Sequence, residues 1–173
     1  MHSTKINEDY MVHMNIDIDY ELLALFAEHA QYKPIGNGGG LANAHKDRFW
    51  DCVNTWQVNT ITNPTGYVKE LHDYLSDLFE ARMVPSFLHQ DPNTEVPMHR
   101  DSKTLCAVNI LTVDDCSPIT FEDIGDISYK CALINTRQRH MVKPHPEDRY
   151  LLKFSIKDKT CLLYTSDAAD EQL

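Results

Sequence analysis

No run of apolar residues in this chain approaches the roughly 20 needed to cross a bilayer, so no membrane span is expected. Its first residues, Met1-His-Ser-Thr-Lys-Ile-Asn-Glu-Asp9, lack the apolar stretch of a secretory leader. The five cysteines (52, 106, 116, 131 and 161) contain no Cys-x-x-Cys spacing. A zinc ribbon and a disulfide framework are thereby disfavoured, and reduced, buried thiols in a cytoplasmic protein are expected. A basic surplus is also missing: 16 Lys and Arg face 26 Asp and Glu, for a net charge of -10. Such a balance argues against a nucleic-acid partner, which needs a cationic face to neutralise phosphates, although it leaves room for a local basic mouth. The Gly36-Asn-Gly-Gly-Gly40 segment lacks the Gly-Lys-Ser/Thr ending of a phosphate loop and reads as punctuation or a mobile lid.

What remains is ordinary globular material. With 173 residues and 42% hydrophobic content, the chain suits one domain with a real core. The expected domain covers about residues 1–160, divided into an N-terminal helical layer (about 1–82) and a β-rich core (about 83–157). The stretch Cys161 to Glu171 resembles the translation of a transposase sequencing adapter. Residues 161–173 are therefore expected to be a non-native tail, frayed or only opportunistically packed.

Periodicity sets the element types. Met11 to Ile18 alternates apolar and polar residues and predicts a strand. Asp19 can cap a helix running through Ala30, with Leu22, Leu23, Leu25 and Phe26 as its apolar stripe. Phe49 to Ile61 suggests extended structure. Asn63 and Pro64 then suit the start of a helix in which Val68, Leu71, Leu75, Leu78 and Phe79 recur to about Ala81. Beyond it come short strand-like runs at 83–88, 95–101, 105–113, 118–121, 127–135, 141–143 and 150–156, separated by turn residues. Such spacing predicts a barrel or sandwich. The expected fold is α+β but mainly β: a jelly roll with N-terminal helices packed on one sheet.

The chemistry-bearing residues lie in this second half. In Val96-Pro-Met-His-Arg-Asp101, residues i and i+2 of a strand share a face, so His99 and Asp101 can offer an imidazole and a carboxylate to one metal. A second histidine would complete a two-His-one-carboxylate facial triad, which leaves three positions open and suits Fe(II) and O2. Alone the dyad is weak: nine His and seventeen Asp give roughly one His-x-Asp by chance, and His89–Asp91 is another. The combination is more specific. Forty-one residues beyond His99, an apolar run leads into His140, and nine further on Arg149 opens another apolar run. A planar guanidinium there suits the far carboxylate of a keto-diacid whose other end chelates the metal.

His99-x-Asp101, His140 and Arg149 together resemble the 2-oxoglutarate/Fe(II)-dependent oxygenase superfamily, in its small prolyl-hydroxylase-like branch. Pro-x-His-x-Asp (97–101), Cys-Ala-Val-Asn-Ile (106–110), Pro-Ile-Thr-Phe (118–121) and Asn-Thr-x-x-x-His-x-Val (135–142) resemble members from marine phages and bacteria. The resemblance covers about residues 83–157. It implies a double-stranded β-helix. It also implies Fe(II) on His99, Asp101 and His140 as metal ligands and catalytic residues, with 2-oxoglutarate and O2 as co-substrates. The implied reaction hydroxylates a C–H bond with release of succinate and CO2. Halogenating members lack the carboxylate, so Asp101 implies hydroxylation. Relatives often place Tyr about ten residues before the first ligand, where this chain has His89, which could donate a similar hydrogen bond. Where relatives often carry Ser or Thr on the last strand, it has Lys153.

Other readings stand beside these. His145 competes with His140 but sits in a Pro-rich turn only four residues before Arg149. Asn109, polar within Cys-Ala-Val-Asn-Ile-Leu, either hydrogen-bonds the co-substrate or is a satisfied core amide. Arg100, Lys103, Arg137, Arg139 and Lys143 steer anions or form a solvated face. Phe49, Trp50 and Trp56 wall a pocket or pack the N-terminal layer. The expected substrate is amino-acid-like, peptidyl or a small metabolite. The rival functions are a cupin-type metal dioxygenase or isomerase without 2-oxoglutarate, a nucleic-acid demethylase of the same superfamily, and a catalytically silent jelly-roll binding module.

Overall fold

The computed structural model describes residues 9–34, 56–101, 103–113 and 118–158. Expectations for the Gly36–Gly40 loop, Phe49, Trp50, Cys52, Cys116 and the tail from Cys161 lie outside those residues.

In chain order the elements are β1 (Met11–His13), α1 (Tyr20–His29), β2 (Lys33–Pro34), β3 (Trp56–Thr60), α2 (Gly66–Phe79), β4 (Met83–Gln90), β5 (Val96–His99), β6 (Cys106–Leu111), β7 (Ile119–Phe121), β8 (Gly125–Ile127), β9 (Cys131–Ile134), β10 (His140–Val142) and β11 (Arg149–Ile156). The strands form a seven-stranded sheet, β1-β9-β6-β11-β4-β3-β2, and a four-stranded sheet, β5-β10-β7-β8, with antiparallel pairing throughout. This is a double-stranded β-helix with two helices on the outer face of the larger sheet. Over the described residues, the strand expected from Met11 and the extended stretch expected to end at Ile61 appear as β1 and β3, which with β2 extend the larger sheet.

Strand parity divides the larger sheet into two chemistries. Met83 and Phe87 of β4, Val108 and Ile110 of β6, and Leu152 and Phe154 of β11 pack outward against Leu23 and Ala27 of α1 and Leu71 and Leu75 of α2. Residues one position along point inward, among them Leu88, Leu111 and Leu151, which pack with Trp56, Val58 and Tyr129. The helices thus hold one face of the sheet dry and leave the other to line the barrel.

Two helix details and one strand depart from expectation. Asp19 does cap α1, its Oδ1 accepting from Leu22 N–H at 2.9 Å. The buried stripe, however, is Leu23 and Ala27, while Leu22, Leu25 and Phe26 are exposed. Residues 22, 23, 25 and 26 wind around the helix, and only the i, i+4 pair meets the sheet. In α2 the N-cap is Thr65 rather than Asn63, so Pro64 precedes the helix. The expected strand over 11–18 stops at His13.

Candidate active site

The metal-binding candidates converge at one end of the smaller sheet. His99, the last residue of β5, is the direct cross-strand partner of His140, the first of β10, and their ring centroids lie 4.4 Å apart. The pairing slips between His140 and Val142, a bulge that places Pro97 and Met98 opposite Met141. Asp101 lies just beyond β5, where its N–H donates to Thr136 O at 3.0 Å. One ligand atom from each of His99, Asp101 and His140 lies within 4.8 Å of the others, and all three residues are buried.

Each imidazole is oriented through its Nδ1. That of His99 donates to Pro97 O at 2.6 Å and that of His140 to Gln138 O at 2.8 Å. A carbonyl can only accept, so Nδ1 carries a proton in both rings, which leaves Nε2 as the atom that can face a metal. Burial and the neighbouring His99 push the pKa of His140 down to about 3, so the ring is neutral at physiological pH. For Asp101, burial works against ionisation. The Lys153 ammonium and the contact with His99 outweigh it and hold the carboxyl well below the usual carboxylate range. A neutral His140 and an ionised Asp101 are the protonation states a divalent cation requires of such ligands. His145 stands apart: its Nδ1 accepts from Glu147 N–H at 3.2 Å, and it is absent from the cluster.

A second polar group lies inside the barrel on the larger sheet. Arg149 is only 4% exposed, and its guanidinium donates to the Tyr129 hydroxyl at 2.9 Å. Its Nε has no partner, and no carboxylate pairs with it among the described residues. Asn109, also facing inward, approaches the same hydroxyl through Nδ2 at 3.4 Å, while its Oδ1 has no partner. It is therefore not a fully satisfied core amide. Gln90, cross-strand to Arg149, is 3% exposed and likewise leaves Oε1 unpartnered. Buried polar atoms without partners are rare, and three that lack one among the described residues, on Arg149 itself, Asn109 and Gln90, mark a place where a polar ligand would complete the bonding.

The expectation that His89 contacts the co-substrate is corrected. His89 pairs with Tyr150, whereas Gln90 pairs with Arg149, so His89 lies on the outer face of the sheet. There it stacks on Tyr150 at 4.4 Å and bonds Asp148 at 2.6 Å. Gln90 occupies the inward position that His89 was expected to fill. Together with Tyr129 it is a site residue that the sequence reading missed. Tyr129 lies between strands, where no periodicity flags it. The parity of Val84, Ser86, Leu88 and Gln90 was the available signal for the other.

Lys153 faces inward, four residues along β11 from Arg149, and its Nζ lies 2.6 Å from Asp101 Oδ2. Beside the triad is a cavity of about 220 Å³ whose walls include Trp56, Thr60, Ser86, Lys103, Lys153 and Lys157.

No protein-family model matches the chain, and no curated protein matches it. Solved structures do. A prolyl-4-hydroxylase from Pseudomonas putida superposes with a TM-score of 0.63 at 11% identity, over 86% of this chain and 92% of that one. A 2OG-Fe(II) oxygenase-family oxidoreductase from Burkholderia pseudomallei gives 0.58 at 10% identity, over 90% and 88%. HygX from Streptomyces hygroscopicus, with nickel, 2-oxoglutarate and hygromycin B bound, gives 0.61 at 9% identity, over 88% and 84%. The chain shares the double-stranded β-helix fold of 2-oxoglutarate/Fe(II) oxygenases.

Proposed function

We propose that this protein is an Fe(II)- and 2-oxoglutarate-dependent oxygenase that hydroxylates a C–H bond of an amino-acid-like, peptidyl or small-metabolite substrate. The observation that carries this reading is Arg149: a buried guanidinium without a counter-ion among the described residues, in the same barrel as a facial triad. An isolated buried charge is costly, and a ligand carboxylate in bidentate contact would offset that cost.

The residues fit the missing groups. His99 Nε2, His140 Nε2 and one oxygen of Asp101 would hold the metal on one face. Iron(II) bound there with 2-oxoglutarate would couple oxygen activation to decarboxylation, giving succinate, CO2 and an oxidised substrate. The chain's own residues do the positioning. Arg149 and the Tyr129 hydroxyl bind the distal carboxylate, and Asn109 Oδ1 and Gln90 Oε1 accept from water or ligand donors nearby. Leu88, Leu111 and Leu151 form the apolar wall that keeps bulk water from this end. Lys153 holds Asp101 in its ionised form. The likeness to HygX, which carries nickel and 2-oxoglutarate, supports the same ligand set here.

The test is succinate release from 2-oxoglutarate in air. Release that requires Fe(II) and is abolished by Asp101→Ala supports the reading. Metal-dependent oxidation without 2-oxoglutarate would favour the cupin-type alternative. Absence of any iron-dependent turnover would leave a binding module.

A further inference from the structure

We infer that the primary substrate is a small anion: an amino-acid-sized molecule, or the end of a larger one, whose carboxylate or phosphate is received at the mouth of the barrel by Lys103 and Lys157. This rests on the oxygenase reading for the direction in which substrate enters. Inward positions along β11 run Arg149, Leu151, Lys153, Ser155, and Lys157 follows the strand. Four residues of strand span about 13 Å, so Arg149 and Lys157 flank the level of Lys153 and Asp101 on opposite sides. With 2-oxoglutarate anchored toward Arg149, the cavity on the other side is left for substrate.

That cavity has the wrong sign for its protein. The chain carries 26 acids against 16 bases, yet among the described residues the cavity wall has three lysines and a single carboxylate, Asp101. Asp101 is already held by Lys153. Among the described acids, Asp158 beside Lys157 in sequence accepts from Arg82 N–H, and Glu122 and Asp126 pair with Arg139 and Lys143 on the smaller sheet. Of the cations that cluster in sequence near the metal ligands, Arg139 and Lys143 are thereby neutralised away from the mouth. Lys103 and Lys157 form no ion pair among the described residues. Cationic walls focus anions and raise their local concentration.

The remaining walls set size and polarity. Thr60 and Ser86, cross-strand partners on β3 and β4, bring hydroxyls to the cavity, and Trp56 brings an apolar surface. At about 220 Å³ and open to solvent, the cavity takes a small molecule of roughly amino-acid size or the end of a larger one.

Trp56 lines the cavity, so its fluorescence, read in a Trp50→Phe background, reports binding there without any turnover. Protein loaded with Ni(II) and saturating 2-oxoglutarate is titrated with three sets of probes: N-acetyl amino acids, their neutral carboxamides, and alkyl phosphates. Either anionic set should bind about tenfold or more tightly than the carboxamides. Preference between carboxylate and phosphate identifies the headgroup. The K103Q/K157Q double variant should lose this preference, and K103R/K157R should restore it. Equal binding of carboxamides, an unaltered preference in K103Q/K157Q, or no response to any anionic probe overturns the inference. Anion binding by a protein that never converts 2-oxoglutarate to succinate would instead overturn the oxygenase reading alone.

Discussion

Lys153 and Asp101 form a nearly buried ion pair in which Nζ takes Oδ2 at 2.6 Å, while Oδ1 of the same carboxylate faces His99 Nε2 at 3.5 Å. The two oxygens are thus divided between a lysine and the metal-facing side. Without metal, Lys153 is the cation that keeps this buried carboxylate ionised. Lys153→Met should destabilise the metal-free protein by about 3 kcal/mol, the scale of breaking a buried pair. A divalent ion would replace the missing charge, so added Ni(II) should raise the melting temperature of the variant more than that of wild type. Equal increments would show that the pair does not support the metal site.

On the proposed reading, Arg149 binds the co-substrate. Arg149→Gln removes the charge but keeps a donor, and should weaken 2-oxoglutarate binding about 100-fold while leaving Ni(II) affinity within a few-fold. Calorimetric titration of each ligand separately measures both. An unchanged 2-oxoglutarate affinity would remove Arg149 from the site.

The Tyr129 hydroxyl joins Arg149 to Asn109. Tyr129→Phe leaves the ring in its packing with Leu88, Leu111 and Leu151 but takes away the guanidinium's one hydroxyl partner. A loss of about five- to tenfold in 2-oxoglutarate affinity, with the fold intact by circular dichroism, is expected from a single hydrogen bond to a charged group. No change would make the hydroxyl incidental.

Cys106 and Cys131 are buried, and burial pushes the pKa of the Cys131 thiol from 9.0 up to about 12. Neither should react with iodoacetamide in the native protein at pH 8. The fold favours the neutral thiol of Cys131, so this contribution to stability is complete below pH 9. Between 9 and 12 it is lost at up to about 1.4 kcal/mol per unit, as the unfolded chain releases the proton first. Cys131→Ala should therefore show a shallower fall in urea midpoint than wild type between pH 8 and 10. Parallel curves would contradict the shift.

Much of the site was legible because its chemistry is local in sequence. The i, i+2 relation of His99 and Asp101, and the nine-residue step from His140 to Arg149, follow from strands that carry ligands at their ends. His140 could be separated from His145 because proline excludes the latter from a strand. Misplacement arose where one residue decides the face. Reading His89 instead of Gln90 as inward is a slip of one position, which in a strand exchanges the barrel interior for the helix-facing side. On α1 the difficulty was similar, since five consecutive apolar residues (22–26) give no single stripe until the sheet selects Leu23 and Ala27. Tyr129 was invisible because its role depends on a hydroxyl meeting two residues twenty positions away.

The central claim is that His99, Asp101 and His140 hold one metal to which 2-oxoglutarate binds. Anaerobic titration with Fe(II) and 2-oxoglutarate reads this directly through the visible charge-transfer absorption of the chelate. The band is expected in wild type and His145→Ala, and is expected to vanish in His140→Ala. Its persistence in His140→Ala, or its absence from wild type, would contradict the account.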